Sequence, residues 1–170
     1  GSVSGVPSNS NPADVINMSL GGQGSCSSTT QQAINIARGN GSTLVIASGN
    51  SNSDSSNFNP GNCSGVVNVA STDRDGGRAY YSNYGSNVDV AAPGGAMSYA
   101  NDPNGVLSTY NSGATTPGSD SYGFSQGTSM AAPHVAGVAA LVKEALPTAS
   151  PDDVESILKQ TTRTFPATCN

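Results

Sequence analysis

The residues that could do chemistry cluster in Gly127-Thr128-Ser129-Met130-Ala131-Ala132-Pro133-His134-Val135-Ala136-Gly137. The segment places a serine at the start of an apolar helix, and the small residues around it leave room for another backbone to approach. A helix N-terminus offers unpaired N–H groups and a positive partial charge, which favour negative charge developing nearby. Ser129 is therefore a candidate nucleophile, although a serine in such a place most often only caps its helix. His134 is the sole histidine of the chain. Five residues of helix turn it about 500°, roughly 140° off the serine's face, and raise it about 7.5 Å. A general base must come within about 3 Å of the hydroxyl it deprotonates, so His134 reads as structural. Asn50, directly after Gly49, reads on its own as a turn residue.

The elements that must position these residues alternate between strand and helix. Asp14–Leu20 reads as a strand ended by Gly21-Gly22, and Ser28–Arg38 as a helix capped by Ser28 or Thr29. Leu44–Ser48 is a short buried strand, broken by Gly49-Asn50. Strand, helix and strand in close succession make a βαβ unit, which implies a parallel sheet. Val66–Ala70 and Val88–Ala91 are further strands, and Val106–Thr109 a short one. The polar stretches Ser51–Gly65 and Tyr99–Tyr122 read as surface loops. From Thr128 to Leu146 the pattern is helical and unusually apolar, predicting a helix through the middle of the protein. Pro147 ends it, and Ser150-Pro151-Asp152-Asp153 starts an amphipathic helix through Lys159 or Gln160, with Pro at its first position.

The chain has 170 residues, 35% hydrophobic and only 10% charged. Roughly 25% charged is usual; Gly, Ser, Asn and Thr fill the difference and predict a loop-rich domain. The net charge of −5, with six Lys and Arg dispersed along the chain, leaves no basic patch for a phosphate backbone and argues against nucleic acid. No apolar run approaches the roughly 20 residues of a membrane helix. The chain opens Gly1-Ser2-Val3-Ser4-Gly5, with neither a signal peptide nor an initiator Met, as a tag scar or a start inside a natural domain would leave it. Cys26 and Cys63 lie in Gly/Ser/Asn-rich loops, which suits a disulfide in an oxidising compartment. Three free thiols are the alternative, and Cys169 has no evident partner within the chain.

The string Gly-Thr-Ser-Met-Ala-x-Pro-His-Val-Ala-Gly resembles, at every position, the nucleophile motif of the subtilisin-like serine proteases. Asn17-Met18-Ser19-Leu20-Gly21-Gly22 is similar to that family's substrate-binding strand, and Ala47-Ser48-Gly49-Asn50 to the segment carrying its oxyanion-hole asparagine. Tyr81-Ser82-Asn83-Tyr84-Gly85, followed by Asp89-Val90-Ala91-Ala92-Pro93-Gly94, resembles its mid-domain strand and turn. The blocks occur in the family's order with family-like spacing. The implied fold is α/β, three layers with a mainly parallel sheet and a central buried helix carrying the nucleophile. Residues 1–170 would be the C-terminal portion of a single catalytic domain.

Under this resemblance Ser129 is the nucleophile, and Asn50 donates to the oxyanion together with the Ser129 N–H. Ser19, Leu20 and Gly21 form an edge on which substrate adds as a strand. With Ala47, Ser48 and Gly49 they wall the pocket for the residue before the cut, predicting broad specificity with a preference for large apolar residues. In the proteinase-K-like branch a structural calcium is held by an aspartate at the position of Asp89 and by carbonyls at those of Ser64 and Val66; an exposed strand-end aspartate is the alternative. The family's catalytic Asp and His precede its serine in the chain, and nothing here resembles a His-Gly-Thr-His segment. An N-terminal segment of the same domain is expected to supply both, and without it the chain is expected to be inactive. After Thr164–Cys169 the family resumes with a further cysteine, which would pair with Cys169. The expectation is a secreted, extracellular serine endopeptidase acting on proteins or peptides. A non-catalytic peptide-binding module that keeps the cleft is the alternative.

Overall fold

The computed structural model describes residues 4–7 and 9–165. In chain order the elements are β1 (Val15–Met18), β2 (Gly22–Gln23), α1 (Ser28–Gly39), β3 (Thr43–Ala47), β4 (Phe58–Asn59), β5 (Val67–Thr72), β6 (Val90–Pro93), β7 (Val106–Asn111), β8 (Asp120–Ser125), α2 (Thr128–Ala145) and α3 (Pro151–Gln160). The sheet is parallel, in the order β1-β3-β5-β6, and β1–α1–β3 is the βαβ unit read from the sequence.

Alternation along β3 divides the core into two layers. Leu44 and Ile46 point toward α1 and pack with Ile34, Cys63 and Val66. Val45 and Ala47 point the other way and join Val67, Val69, Val90 and Ala92 against Ala131, Ala132, Val135 and Ala139 of α2 and Val154 and Leu158 of α3. Both faces of the sheet are covered, as a parallel sheet requires, and the result is the expected three-layer architecture. Each wholly buried Val contributes about 1.5–3 kcal/mol relative to exposure.

The helices start where local chemistry satisfies their first N–H groups. Ser27 caps α1 by accepting from the Thr30 N–H at 3.1 Å, one residue ahead of the expected caps. Ser150 and Asp153 form a reciprocal capping box on α3 behind Pro151, as the sequence signalled. The α2 helix is buried along the line Thr128, Ala131, Ala132, Val135 and Ala139, but its other face carries Val138 and Leu141 to solvent, 49% and 64% exposed. Among the described residues this helix is covered on one side.

The two stretches read as loops hold structure of their own. Within Tyr99–Tyr122 and just beyond it, β7 pairs antiparallel with β8 from Val106↔Ser125 to Asn111↔Asp120. The hairpin extends the short strand expected at Val106–Thr109, and its second strand, mostly polar and half-exposed, shows no alternation of burial in the sequence. Within Ser51–Gly65, β4 pairs with β2 through Asn59↔Gly22 and Phe58↔Gln23. Cys26 and Cys63 are joined in a disulfide that ties this ribbon to the start of α1.

Candidate active site

The α2 N-terminus is built without a side-chain cap of its own. Gly127 precedes it with φ +147°, a backbone conformation that side chains disfavour. Its N–H donates to the Gly94 carbonyl at 3.0 Å, which also accepts from the Tyr81 hydroxyl at 3.0 Å. Burial pushes that hydroxyl above its ordinary pKa, so it remains a donor at all physiological pH. The Met130 N–H returns to the Gly127 carbonyl at 2.9 Å and the Ala131 N–H at 3.3 Å. The Thr128 N–H is capped from far along the chain, by Asn50 Oδ1 at 2.8 Å. Ser129 is thereby left with an N–H that has no acceptor among the described residues.

The same contacts orient Asn50. A backbone N–H can only donate, and the Thr128 hydroxyl also donates to Asn50 Oδ1, at 2.8 Å. The amide oxygen must therefore face the helix, which turns the amino group outward, where it meets no acceptor among the described residues. A Cβ placed on Gly127 would lie 3.4 Å from Asn50 Nδ2 and 3.6 Å from Ser129 N. Two free donors thus converge on one small space that Gly127 keeps open.

The loop carrying Asn50 is held from behind by Asn83, which is fully buried. Asn83 Nδ2 donates to the Ser48 carbonyl at 2.8 Å, and Asn83 Oδ1 accepts from the Ser51 and Ser53 N–H groups at 2.9 and 3.2 Å. Gly49 has φ +107°, and a Cβ there would fall 2.3 Å from Asn83 Nδ2. Neither Thr128 nor Asn83 was singled out from the sequence. Thr128 lies inside the Ser129 motif, and Asn83 inside the Tyr81–Gly85 block, but no local pattern gives either its partner.

Ser129 also meets β1's continuation. Pro133 has no N–H, so the Ser129 carbonyl lacks its usual partner four residues on. Ser19 Oγ donates to that carbonyl at 2.9 Å, while the Ser129 hydroxyl donates to the Ser19 carbonyl at 3.3 Å. These residues open onto a cleft of about 610 Å³, and every predicted substrate-binding residue lines it: Ser19, Leu20, Gly21, Ala47, Ser48 and Gly49. Asn50 and Ser129 lie at the same cleft, and no charged side chain among the described residues does. The far wall is Phe58 and Asn59, which the sequence reading left in a loop. Gly21 abuts that wall, since a Cβ on it would come 3.0 Å from the Asn59 carbonyl.

His134 is not part of this arrangement. Its ring Nδ1 lies 2.8 Å from the Met130 carbonyl within the helix, on an exposed face. Of the three implied calcium donors, Asp89 and the Ser64 carbonyl are already engaged within the chain. Asp89 Oδ1 is paired with Lys159 Nζ at 2.7 Å, and Asp89 Oδ2 accepts from the Asn68 N–H at 2.9 Å. The Ser64 carbonyl accepts from Gln31 Nε2 at 3.0 Å. Calcium takes six to eight free oxygens, and no group of three or more His, Cys, Asp and Glu able to hold a metal occurs among the described residues. Cys169 lies outside the described residues.

The profile of the Subtilase family matches residues 3–170. An extracellular protease of Xanthomonas campestris pv. campestris is 54% identical over 171 aligned positions, covering 100% of this chain and 28% of that protein. A solved structure of a protease from Pseudoalteromonas arctica is 78% identical with a TM-score of 0.97, covering 99% of this chain and 50% of that one. A cold-adapted subtilisin-like serine proteinase superposes with a TM-score of 0.70 at 34% identity, covering 86% of this chain and 47% of that one. The chain therefore spans half or less of each of these relatives. On its family match, its identities and its fold, the chain belongs to the subtilase family.

Proposed function

We propose that this chain is the nucleophile-bearing, C-terminal portion of the catalytic domain of a secreted serine endopeptidase. The observation that carries the reading is that Asn50 Nδ2 and the Ser129 N–H flank one space in front of Gly127, with no acceptor for either among the described residues. Such a pair suits the oxyanion of a tetrahedral intermediate, and losing one donor of this kind costs about 10²–10³ in rate. Ser129 Oγ attacks the scissile carbonyl carbon and its proton passes to a histidine base. The C–N bond then breaks, the amine leaves with that proton, and water releases the acyl group by the reverse sequence.

The base and its aspartate come from an N-terminal segment of the same domain. In support, the chain spans 28% of the Xanthomonas protein. Apolar Val138 and Leu141 stand exposed on α2, and β1 has a free edge in the sheet. Substrate pairs along Ser19, Leu20 and Gly21 and places one side chain against Ala47, Ser48, Gly49 and Phe58. With no charge lining the cleft, broad specificity favouring large apolar residues follows; a strict Arg or Lys requirement in a peptide scan would refute it. The extracellular setting rests on the Xanthomonas relative's name and on the Cys26–Cys63 disulfide. The test is labelling of the protein with a fluorophosphonate and location of the adduct by peptide mass spectrometry. An adduct on Ser129 is expected when the Asp/His segment is present. A folded, complete protein that takes no label would make the chain a peptide-binding relative.

A further inference from the structure

The corner where the resemblance places calcium is occupied by the chain's own cations. Asp89 stands just before β6, and its two carboxylate oxygens are used by Lys159 Nζ and the Asn68 N–H. Lys159 lies on α3 and is also 3.5 Å from Glu155, one turn earlier. Glu155 in turn is 3.7 Å from Arg38, at the end of α1. Arg38 bonds Asp152 as well and donates to the Gly65 carbonyl at 2.8 Å. Beside it, the Ser64 backbone is held at both ends by Gln31, through its carbonyl at 3.0 Å and its N–H at 2.8 Å.

The result is a continuous chain of charge, Asp152–Arg38–Glu155–Lys159–Asp89, that connects α1, α3 and the segment entering β6. It joins the helical layers on opposite faces of the sheet, which is the task a structural cation would perform by drawing the 64–66 and 89 segments together. We infer that in this chain the Lys159 ammonium, backed by the Arg38 guanidinium, replaces the calcium at Asp89, so that this corner is stabilised without metal. A calcium ion bound to Asp89 would have to displace a hydrogen-bonded ammonium. The Asp89 side chain is 15% exposed and its partner Lys159 45%, so one partner of this pair is shielded from solvent.

The test uses the complete natural protein, with thermal unfolding of the wild type, Asp89→Asn, Lys159→Met and the double variant. Each is measured in millimolar calcium and again in excess chelator, and calcium binding is titrated by calorimetry for the wild type and Asp89→Asn. Comparing variants within one condition cancels any calcium held elsewhere in the molecule. Each single substitution is expected to lower Tm by about 2–4 °C, equally with and without calcium. The double variant is expected to fall no further than the worse single one, and Asp89→Asn to keep the wild-type calcium stoichiometry. A loss on Asp89→Asn that appears only in calcium, or a stoichiometry reduced by one ion, would overturn the inference. Unchanged Tm in both single variants would overturn it too. None of these readouts depends on catalysis, so they stand apart from the fluorophosphonate test.

Discussion

Replacing Asn83 by Ala tests whether the site depends on a residue that never touches the cleft's contents. The substitution removes Nδ2–H···O=C to Ser48 and two N–H···Oδ1 bonds from Ser51 and Ser53, all around a side chain with no solvent exposure. The Asn83 backbone bond to the Gly49 carbonyl remains. Each lost bond is worth about 0.5–1.5 kcal/mol net, and an orphaned buried partner costs more, so about 2–4 kcal/mol of stability is lost. A domain with about 5–15 kcal/mol in hand survives that. Asn50 stays in the chain but loses the brace that fixes its loop, so kcat should fall by about 10- to 100-fold, short of the loss from deleting the donor itself. The assay is kcat and KM on a peptide substrate for the complete protease, below the variant's unfolding temperature, as a cycle with Asn50→Ala. If Asn83 acts through Asn50, the double variant is no slower than Asn50→Ala alone. Unchanged kcat in Asn83→Ala, or strictly multiplicative losses in the cycle, would refute the reasoning.

Gly127→Ala should abolish most turnover while leaving KM nearly unchanged, because its Cβ would enter the space shared by Asn50 Nδ2 and Ser129 N at φ +147°; steady-state kinetics on the folded variant checks it. Replacing both cysteines of the Cys26–Cys63 bond by Ser opens a span with a sequence separation of 37 and should cost about 4 kcal/mol, read by denaturant unfolding. Asp102 accepts from the Ser98 N–H and then the Asn104 N–H, which hold its carboxyl below the usual value. Its folded pKa is thus depressed: the stabilisation is present above about pH 4 and lost as pH falls through the folded value. Asp102→Asn should flatten the acid limb of Tm against pH.

What was legible in the sequence is what local chemistry decides. Ser150-Pro151-Asp152-Asp153 starts α3 because the cap, the proline and the acidic first turn all act within one turn of helix. The apolar run at Leu44 announces a strand because burial on both faces of a parallel sheet leaves no room for polar alternation. Most of β7 was read, as Val106–Thr109, but its partner β8 escaped because no alternation of burial marks it. The outward face of α2 escaped for the opposite reason: Val138 and Leu141 are apolar, and composition cannot say what covers them.

At the site, resemblance supplied the residues and only the fold supplied their relations. Asn50 and Thr128 are 78 positions apart, and Asp89 and Lys159 are 70 apart, so no spacing rule reaches either pair. Yet those two contacts decide the chemistry in opposite directions. The Thr128 N–H takes Asn50's oxygen and so frees its amino group, converting an apparent turn residue into an oriented donor. The Lys159 ammonium takes Asp89's oxygen and so closes a carboxylate that would otherwise seek a cation. A polar side chain's function is set by which of its atoms the fold leaves unpaired, and at Asn50 and Asp89 the fold leaves opposite answers.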